Sequence, residues 1–351
     1  MQPHIPDHTL IRSIGSGSYG EVWLAQNVMG AWRAVKIVRR ECFSSDRPYE
    51  REFDGIRKFE PLSRVHESQL DILHVGRDDK AGFFFYVMEL GDDIRNGQQI
   101  DPATYEPYTL HSGLRERRRF PARDCMEVGI ALCTALEQIH QHGLIHRDIK
   151  PSNVIFVHGR AKLADIGLVT EADEGASFVG TEGYVPLEGP GSARADLFSL
   201  GRVLYEISTG FHQKRFPDLP SSFGEDDDEL ARELNLVIHK ACAQDARERH
   251  SSASMLREEL LLLKGGRSIR RLREAERRAV VLKWFGVAAL VIALFAITGY
   301  ISARRANHRA GLALVQARLA QAHALRISGQ VGRRNEALAA LAEAARIQPS
   351  R

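Results

Sequence analysis

Cysteine is scarce in this 351-residue chain, and the four present, Cys42, Cys125, Cys133 and Cys242, lie far apart. There is no CxxC pair and no Cys/His ligand spacing. A structural zinc site and a disulfide framework are therefore excluded as organising principles, and buried, reduced thiols are expected. Charge of one sign is also lacking: 48 Lys and Arg against 45 Asp and Glu leave a net charge of only +3. A dedicated nucleic-acid binder usually carries a larger, clustered basic excess, so nucleic acid is not an expected partner. The N-terminus, MQPHIPDHTL, has no apolar core of the kind a secretory signal needs. What remains is a composition of 44% hydrophobic and 26% charged residues, that of a folded globular chain. The length leaves room for about two ordinary domains, or one large domain with appendages.

One absence is local. From Trp284 to Ile301 the chain reads WFGVAALVIALFAITGYI, without a single charge. As a helix this run of about 18 residues spans roughly 27 Å, enough to cross a hydrocarbon core. Trp284 and Tyr300 mark its ends, where amphipathic rings favour the membrane–water boundary. A dense basic run (Arg267, Arg270, Arg271, Arg273, Arg277, Arg278, Lys283) precedes it, and Arg304, Arg305 and Arg309 follow. That asymmetry predicts a single-pass span with its N-terminal side in the cytoplasm and the basic run against anionic membrane lipid.

Four regions result: a mixed domain over residues 9–263, the basic juxtamembrane segment 264–283, the span 284–301 and a helical tail 302–351. The tail is rich in Ala, Leu and Arg, is broken at Gly329 and Gly332, and closes on Pro349. It is similar to one tetratricopeptide unit, but the Trp and Tyr of that repeat are missing, and a plain helical or coiled-coil tail stays open. Within the first region, alternation through Leu10–Ile14, Val22–Ala25, Trp32–Val38 and Phe83–Met88 predicts strands. From Arg123 to His142 the spacing turns helical, with Met126, Ile130, Cys133, Leu136, Ile139 and His140 on one face. A small sheet-rich lobe followed by a larger helical lobe is an α+β arrangement.

Between the first two predicted strands lies Gly15-Ser-Gly17-Ser-Tyr-Gly20-Glu-Val22. A strand rather than a helix follows, so these glycines belong to a hairpin able to fold over a triphosphate, not to a dinucleotide-binding turn. Ala34-Val35-Lys36-Ile37 then places an ammonium inside an apolar strand, where it needs an anionic partner. His146-Arg147-Asp148-Ile-Lys150-Pro-Ser-Asn153 and Asp165-Ile166-Gly167 complete the series.

With these motifs in order, residues 9 to 263 resemble the eukaryotic-type (Hanks-type) serine/threonine protein kinases. GLIHRDIKPSNVIFV, KLADIGLVT and GTEGYVPLEGPG look like a bacterial membrane-anchored branch. The resemblance implies the bilobal kinase fold, ATP as cofactor with Mg2+ or Mn2+, and protein substrates with Ser or Thr acceptors. It implies that Asp148 orients the attacking hydroxyl, Lys150 adds positive charge near the γ-phosphate, and Asn153 and Asp165 hold the metal. Lys36 would clamp the α/β-phosphates, Gly15, Gly17 and Gly20 would cover the phosphates, and Val22, Ala34, Met88, Glu89 and Leu90 would surround the nucleotide. A helical glutamate should partner Lys36; Glu52 is preferred, with Glu50 and Glu60 open.

Around this centre, Thr181 would bridge Asp148 and Lys150, Glu188 would pair with Arg249, and Asp196 would brace the catalytic-loop backbone. Arg147 beside the catalytic aspartate suggests an anion from a phosphorylated activation segment, with Thr170 or Ser177 modified in trans, through a homodimer. Two departures stand out: Ile166 replaces the usual Phe, and Leu187 replaces the Pro of a Pro-Glu pair. The polar stretch from Asp92 to Arg119, beyond the hinge, is expected to be a surface loop. A nucleotide-binding pseudokinase scaffold and a small-molecule kinase of related fold are the competing readings.

Overall fold

The computed structural model describes residues 3–17, 20–165, 170–171, 181–224, 228–327 and 333–347. The chain divides into two compact units, Met1–Leu272 and Arg273–Arg351.

The first unit begins with a five-stranded antiparallel sheet. Its strands are β1 (His8–Gly17), β2 (Gly20–Asn27), β3 (Trp32–Arg39), β4 (Ile72–Asp78) and β5 (Phe83–Met88), in the order β1-β2-β3-β5-β4. Side chains alternate across a strand, so β3 sends Val35 and Ile37 to one face and Ala34, Lys36 and Val38 to the other. Val35 and Ile37 join a cluster with Ile5, Ala25, Phe83, Phe85 and Val87. Ala34 and Val38 join the main core with Phe84 and Tyr86. Helix α1 (Asp46–Ser63) covers that second face with a buried stripe, Tyr49, Glu52, Ile56 and Phe59, at helical spacing. One carboxylate thus lies on an otherwise apolar stripe.

The large lobe is helical. It comprises α2 (Leu110–Arg117), α3 (Ala122–Gln141), α4 (Ala193–Thr209), α5 (Asp228–Ala241) and α6 (Ala253–Lys264), with short strands β6 (Leu144–Ile145), β7 (Val154–Val157), β8 (Arg160–Leu163) and β9 (Thr170–Glu171). On α3, Met126, Cys133, Leu136 and Ile139 are buried as the spacing requires. Gly129 lets α6 approach, since a Cβ there would lie 2.7 Å from Leu260. Ser192 caps α4 through the Ala195 N–H, and Gly210 ends it in a left-handed turn at φ +71. The cap sets Asp196 in the first turn, where the helix N-terminus favours a carboxylate.

Two expectations change here. Cys125, Cys133 and Cys242 are buried, but Cys42 is exposed. It follows β3 in a short 3₁₀ turn, Arg40–Cys42, that buries no residue. The stretch after the hinge is also not a simple surface loop: Asp92, Asp93 and Tyr105 are buried, and α2 begins within it.

In the second unit, helix α8 (Arg333–Ile347) packs on the end of helix α7 (Ile269–Ile327), with Ala322, Ala340 and Ala344 buried and Arg318 3.1 Å from Glu343. The stretch Val281–Ile327 of α7 contains an 18-residue window of mean hydropathy 2.2, none of which is buried, so by length and composition it can cross a membrane. Gly329, Gly332 and Pro349 lie outside the described residues.

Candidate active site

The two lobes enclose a cleft of about 610 Å³. Its roof comes from β1–β3, its back from β5 and α1, and its floor from the segment between β6 and β7. Gly15, Gly17, Gly20, Val22, Ala34 and Lys36 line the roof, and Met88, Glu89 and Leu90 line the hinge edge. The three glycines differ. A side chain at Gly20 would collide with the Ile37 carbonyl of β3, so packing alone demands glycine there. At Gly15 and Gly17 a Cβ would meet nothing closer than 3.8 Å, which leaves that edge open to a ligand. Ser18 and Tyr19 lie outside the described residues.

On the floor, Asp148 is the centre of a network. Thr181 Oγ1 donates to Asp148 Oδ1 at 2.8 Å, and Lys150 Nζ donates to Asp148 Oδ2 at 2.7 Å and to Thr181 Oγ1 at 3.0 Å. Asn153 Nδ2 donates to the Asp148 carbonyl at 2.8 Å and to Oδ2 at 3.0 Å. The loop carrying these groups is held from below. Asp196 on α4 accepts the N–H of His146 and of Arg147, each at 2.9 Å, and contacts His140 Nε2 at 2.8 Å. Arg147 has φ +70 and Asp165 φ +58, uncommon for residues with a Cβ.

Lys36 forms its direct ion pair with Asp165. Burial works against the ammonium, but Asp165, assisted by Tyr86 and Glu52, outweighs it and holds the amine above its ordinary value. Enclosure likewise disfavours the Asp165 carboxylate, yet Lys36 holds that carboxyl below its usual range. Of the three glutamates left open by sequence, Glu50 pairs with Arg77 at 2.6 Å and Glu60 pairs with Arg64. Only Glu52 lines the cleft. It makes no ion pair with Lys36, and its Oε1 is buried without a hydrogen-bond partner. Burial pushes its carboxyl up to about 7, with Lys36 pulling the other way.

The oxygen donors suit a hard divalent cation. Asp165 is 41% exposed toward the cleft, and Asn153, having turned its amide NH2 to Asp148, directs Oδ1 elsewhere. Among the described residues no group of three or more His, Cys, Asp or Glu side chains could hold a metal by itself.

The remaining positions are placed as follows. Arg249 makes two hydrogen bonds to Glu188, the second at 3.2 Å, and also donates to the carbonyls of Ala243 and Gln244. Leu187 is 89% exposed. Thr170 belongs to β9, paired with Ile145 of β6. Ser177, Gly180, Ile166 and Gly167 lie outside the described residues. Sequence reasoning missed Tyr86, Gly91, Tyr105, Thr109, Ile155 and Ala164, all of which line the cleft. Ile155 was within reach, because β7 alternates and Ile155 is out of step with the core residues Val154 and Phe156. Nothing in the composition of the 92–109 stretch signals that Tyr105 and Thr109 face inward.

A sheet lobe and a helical lobe closing on a lysine–aspartate pair, above an aspartate–lysine–asparagine loop, define a phosphotransferase of the protein kinase class. Residues 8–261 match the protein kinase domain family, and the chain belongs to it, within the bacterial Hanks-type serine/threonine branch. Serine/threonine-protein kinase PknB of Mycobacterium tuberculosis is 32% identical over 293 residues, 75% of this chain and 44% of that kinase. PknB of Mycobacterium leprae is 28% identical over 292 residues, covering 75% of this chain and 44% of that protein. A probable serine/threonine-protein kinase of Streptomyces coelicolor is 30% identical over 273 residues, 70% of this chain and 38% of its own length. The chain thus spans about two-fifths of the length of these curated relatives. Use of ATP, a divalent cation and protein substrates is general to the family.

Proposed function

We propose that the chain transfers the γ-phosphoryl group of ATP to Ser and Thr hydroxyls of proteins, with Mg2+ held by Asn153 and Asp165. The carrying observation is that Lys36, Asp148, Lys150, Asn153, Asp165 and Thr181 all line one cleft. Bound there, the cation would shield the phosphate oxygens and take up charge in transfer. Asp148, fixed by Thr181, Lys150 and Asn153, points a carboxylate oxygen at an incoming hydroxyl and receives its proton. Lys150 adds a positive charge beside that oxygen, and Lys36 offers one at the back of the cleft. Position and electrostatics suffice, because phosphoryl transfer asks little covalent chemistry of the protein.

The same reading makes this a membrane-anchored signalling kinase. The apolar stretch of α7 crosses the bilayer, the basic run before it meets anionic lipid on the cytoplasmic side, and the tail lies on the far side. Autophosphorylation in trans at Thr170 or Ser177, within a homodimer, would regulate it. Incubating the full chain and an Asp148→Asn variant with labelled ATP, Mg2+ and a generic protein substrate tests the core claim. Label on Ser or Thr in wild type alone supports it. No label in either, with ATP still bound, replaces it with a nucleotide-binding scaffold.

A further inference from the structure

The polar stretch beyond the hinge is knitted into the fold. Asp93, itself buried, accepts the backbone N–H of Arg95 at 2.9 Å, of Asn96 at 2.7 Å and of Glu106 at 2.9 Å, which closes residues 93–106 into a compact excursion. The large lobe holds its base. Asp92 accepts from the N–H groups of His158 and Gly159 in the β7–β8 turn, at 3.0 and 2.7 Å, and its own N–H donates to Phe156 at 2.7 Å. Tyr105 turns inward, is 3% exposed and donates its hydroxyl to the hinge carbonyl of Gly91 at 3.0 Å.

Against this excursion lies one side chain from the opposite lobe. Arg12 of β1 donates Nε to the Pro102 carbonyl at 2.8 Å and Nη2 to the Tyr105 carbonyl. The two acceptors are 90 and 93 residues away along the chain. Ile14, two residues on from Arg12, forms part of the cleft roof, while Gly91, Tyr105 and Thr109 form its wall on the excursion side. Elsewhere the lobes are joined by the hinge strand, by Lys162 of β8 paired with Glu89, and by Gln69, which donates to the Ala135 carbonyl at 2.8 Å. A guanidinium bound to two carbonyls of a segment rooted in the large lobe adds a tie that reaches β1 itself, beside the cleft roof.

We propose that Arg12 and the Asp92–Thr109 excursion form a latch that holds β1 over the nucleotide, with Arg12 as a positioning residue for ATP. The latch rests on the kinase reading and adds to it a determinant outside the motifs that carry that reading. Two polar contacts that fix the roof are worth about tenfold in nucleotide affinity when lost. The chemistry is remote, so turnover is spared.

The test is titration of the full chain with a fluorescent ATP analogue and Mg2+, with steady-state kinetics and a thermal melt alongside. Arg12→Ala should weaken nucleotide binding and raise the ATP KM about tenfold, with kcat within about twofold and the melting temperature nearly unchanged. Arg12→Lys, which keeps one donor, should recover part of the loss. When residues 95–105 are replaced by two glycines, which removes both the Pro102 and the Tyr105 carbonyl, Arg12→Ala should have no further effect, because its partners are gone. Wild-type affinity in Arg12→Ala, or the same loss in the shortened background, overturns the latch and leaves the kinase reading standing. A wild-type chain that binds no ATP removes both.

Discussion

Thr181 and Asp148, 33 residues apart, are joined by a 2.8 Å hydrogen bond, and Lys150 donates to both. The three side chains close a small ring, so each fixes the rotamer of the other two. The ring connects the catalytic loop to the segment that leads on to Glu188, itself anchored to Arg249. The floor and the 181–188 segment are therefore one hydrogen-bonded unit, braced beneath by Asp196.

The ring makes Thr181 a positioning group. Thr181→Ala removes the donor to Asp148 Oδ1 and leaves only Oδ2 held by Lys150 and Asn153, and a misplacement of about 1 Å at a reacting group costs on the order of 100-fold. We expect kcat to fall by about 10–100-fold with the ATP KM little changed, and Thr181→Ser to keep most of the activity. Equal kcat for the Ala and Ser variants would show that the hydroxyl is not what positions Asp148.

Glu52 predicts a pH signature of stability. Burial raises its carboxyl from an ordinary 4.5 to about 7, so the folded state keeps a proton that the unfolded state has released. The stabilising contribution is present in full below about pH 4.5 and disappears as pH rises through 7. Glu52→Gln imitates the protonated form and escapes that loss. Its stability relative to wild type should therefore improve by about 3 kcal/mol between pH 4.5 and pH 8. Urea midpoints for both proteins at the two pH values measure this; a difference independent of pH would refute it. Catalysis should suffer in the same variant under the proposed function, in which the Glu52 carboxylate would partner Lys36 when ATP is bound.

The membrane assignment is tested by charge. Ile292 and Leu294 are exposed on α7. Each arginine placed near the centre of a span costs about 2.5–3.5 kcal/mol of insertion. The Ile292→Arg, Leu294→Arg double variant should move from the carbonate-resistant membrane fraction to the soluble or aggregated fraction. Recovery of wild type in the soluble fraction would mean that this helix buries its apolar face against protein instead.

How much was legible differs from residue to residue. Lys36, Asp148, Asn153 and Asp165 were visible because each belongs to a short motif whose spacing is tied to the local backbone. The alternation of Ala34-Val35-Lys36-Ile37 alone puts Lys36 on the face opposite Val35 and Ile37. Glu52 was legible only as one of three, since Glu50, Glu52 and Glu60 all lie on one amphipathic helix; Arg77 and Arg64 remove the other two. Cys42 was misjudged because burial of a thiol depends on which turn carries it, and Arg40–Cys42 is an outer turn. The Asp92–Thr109 excursion was illegible for a plainer reason. Its polar composition is that of a loop, and its order comes from Asp92 accepting N–H groups brought in by the β7–β8 turn and from Asp93 accepting the Glu106 N–H from the far end of the excursion.

Sequence alone determined the lobes, the order of the cleft-lining motifs and the apolar stretch fit for a membrane, because periodicity, glycine placement and the absence of charge act over a few residues at a time. Tertiary structure decided which partner Lys36 takes, that Glu52 is buried without a hydrogen bond to its Oε1, and that Arg12 reaches across to Pro102 and Tyr105. Those outcomes depend on distances between segments far apart in the chain. A side chain's charge and hydrogen-bonding capacity are written in its identity, but its partner is chosen only when the fold brings one within about 3 Å.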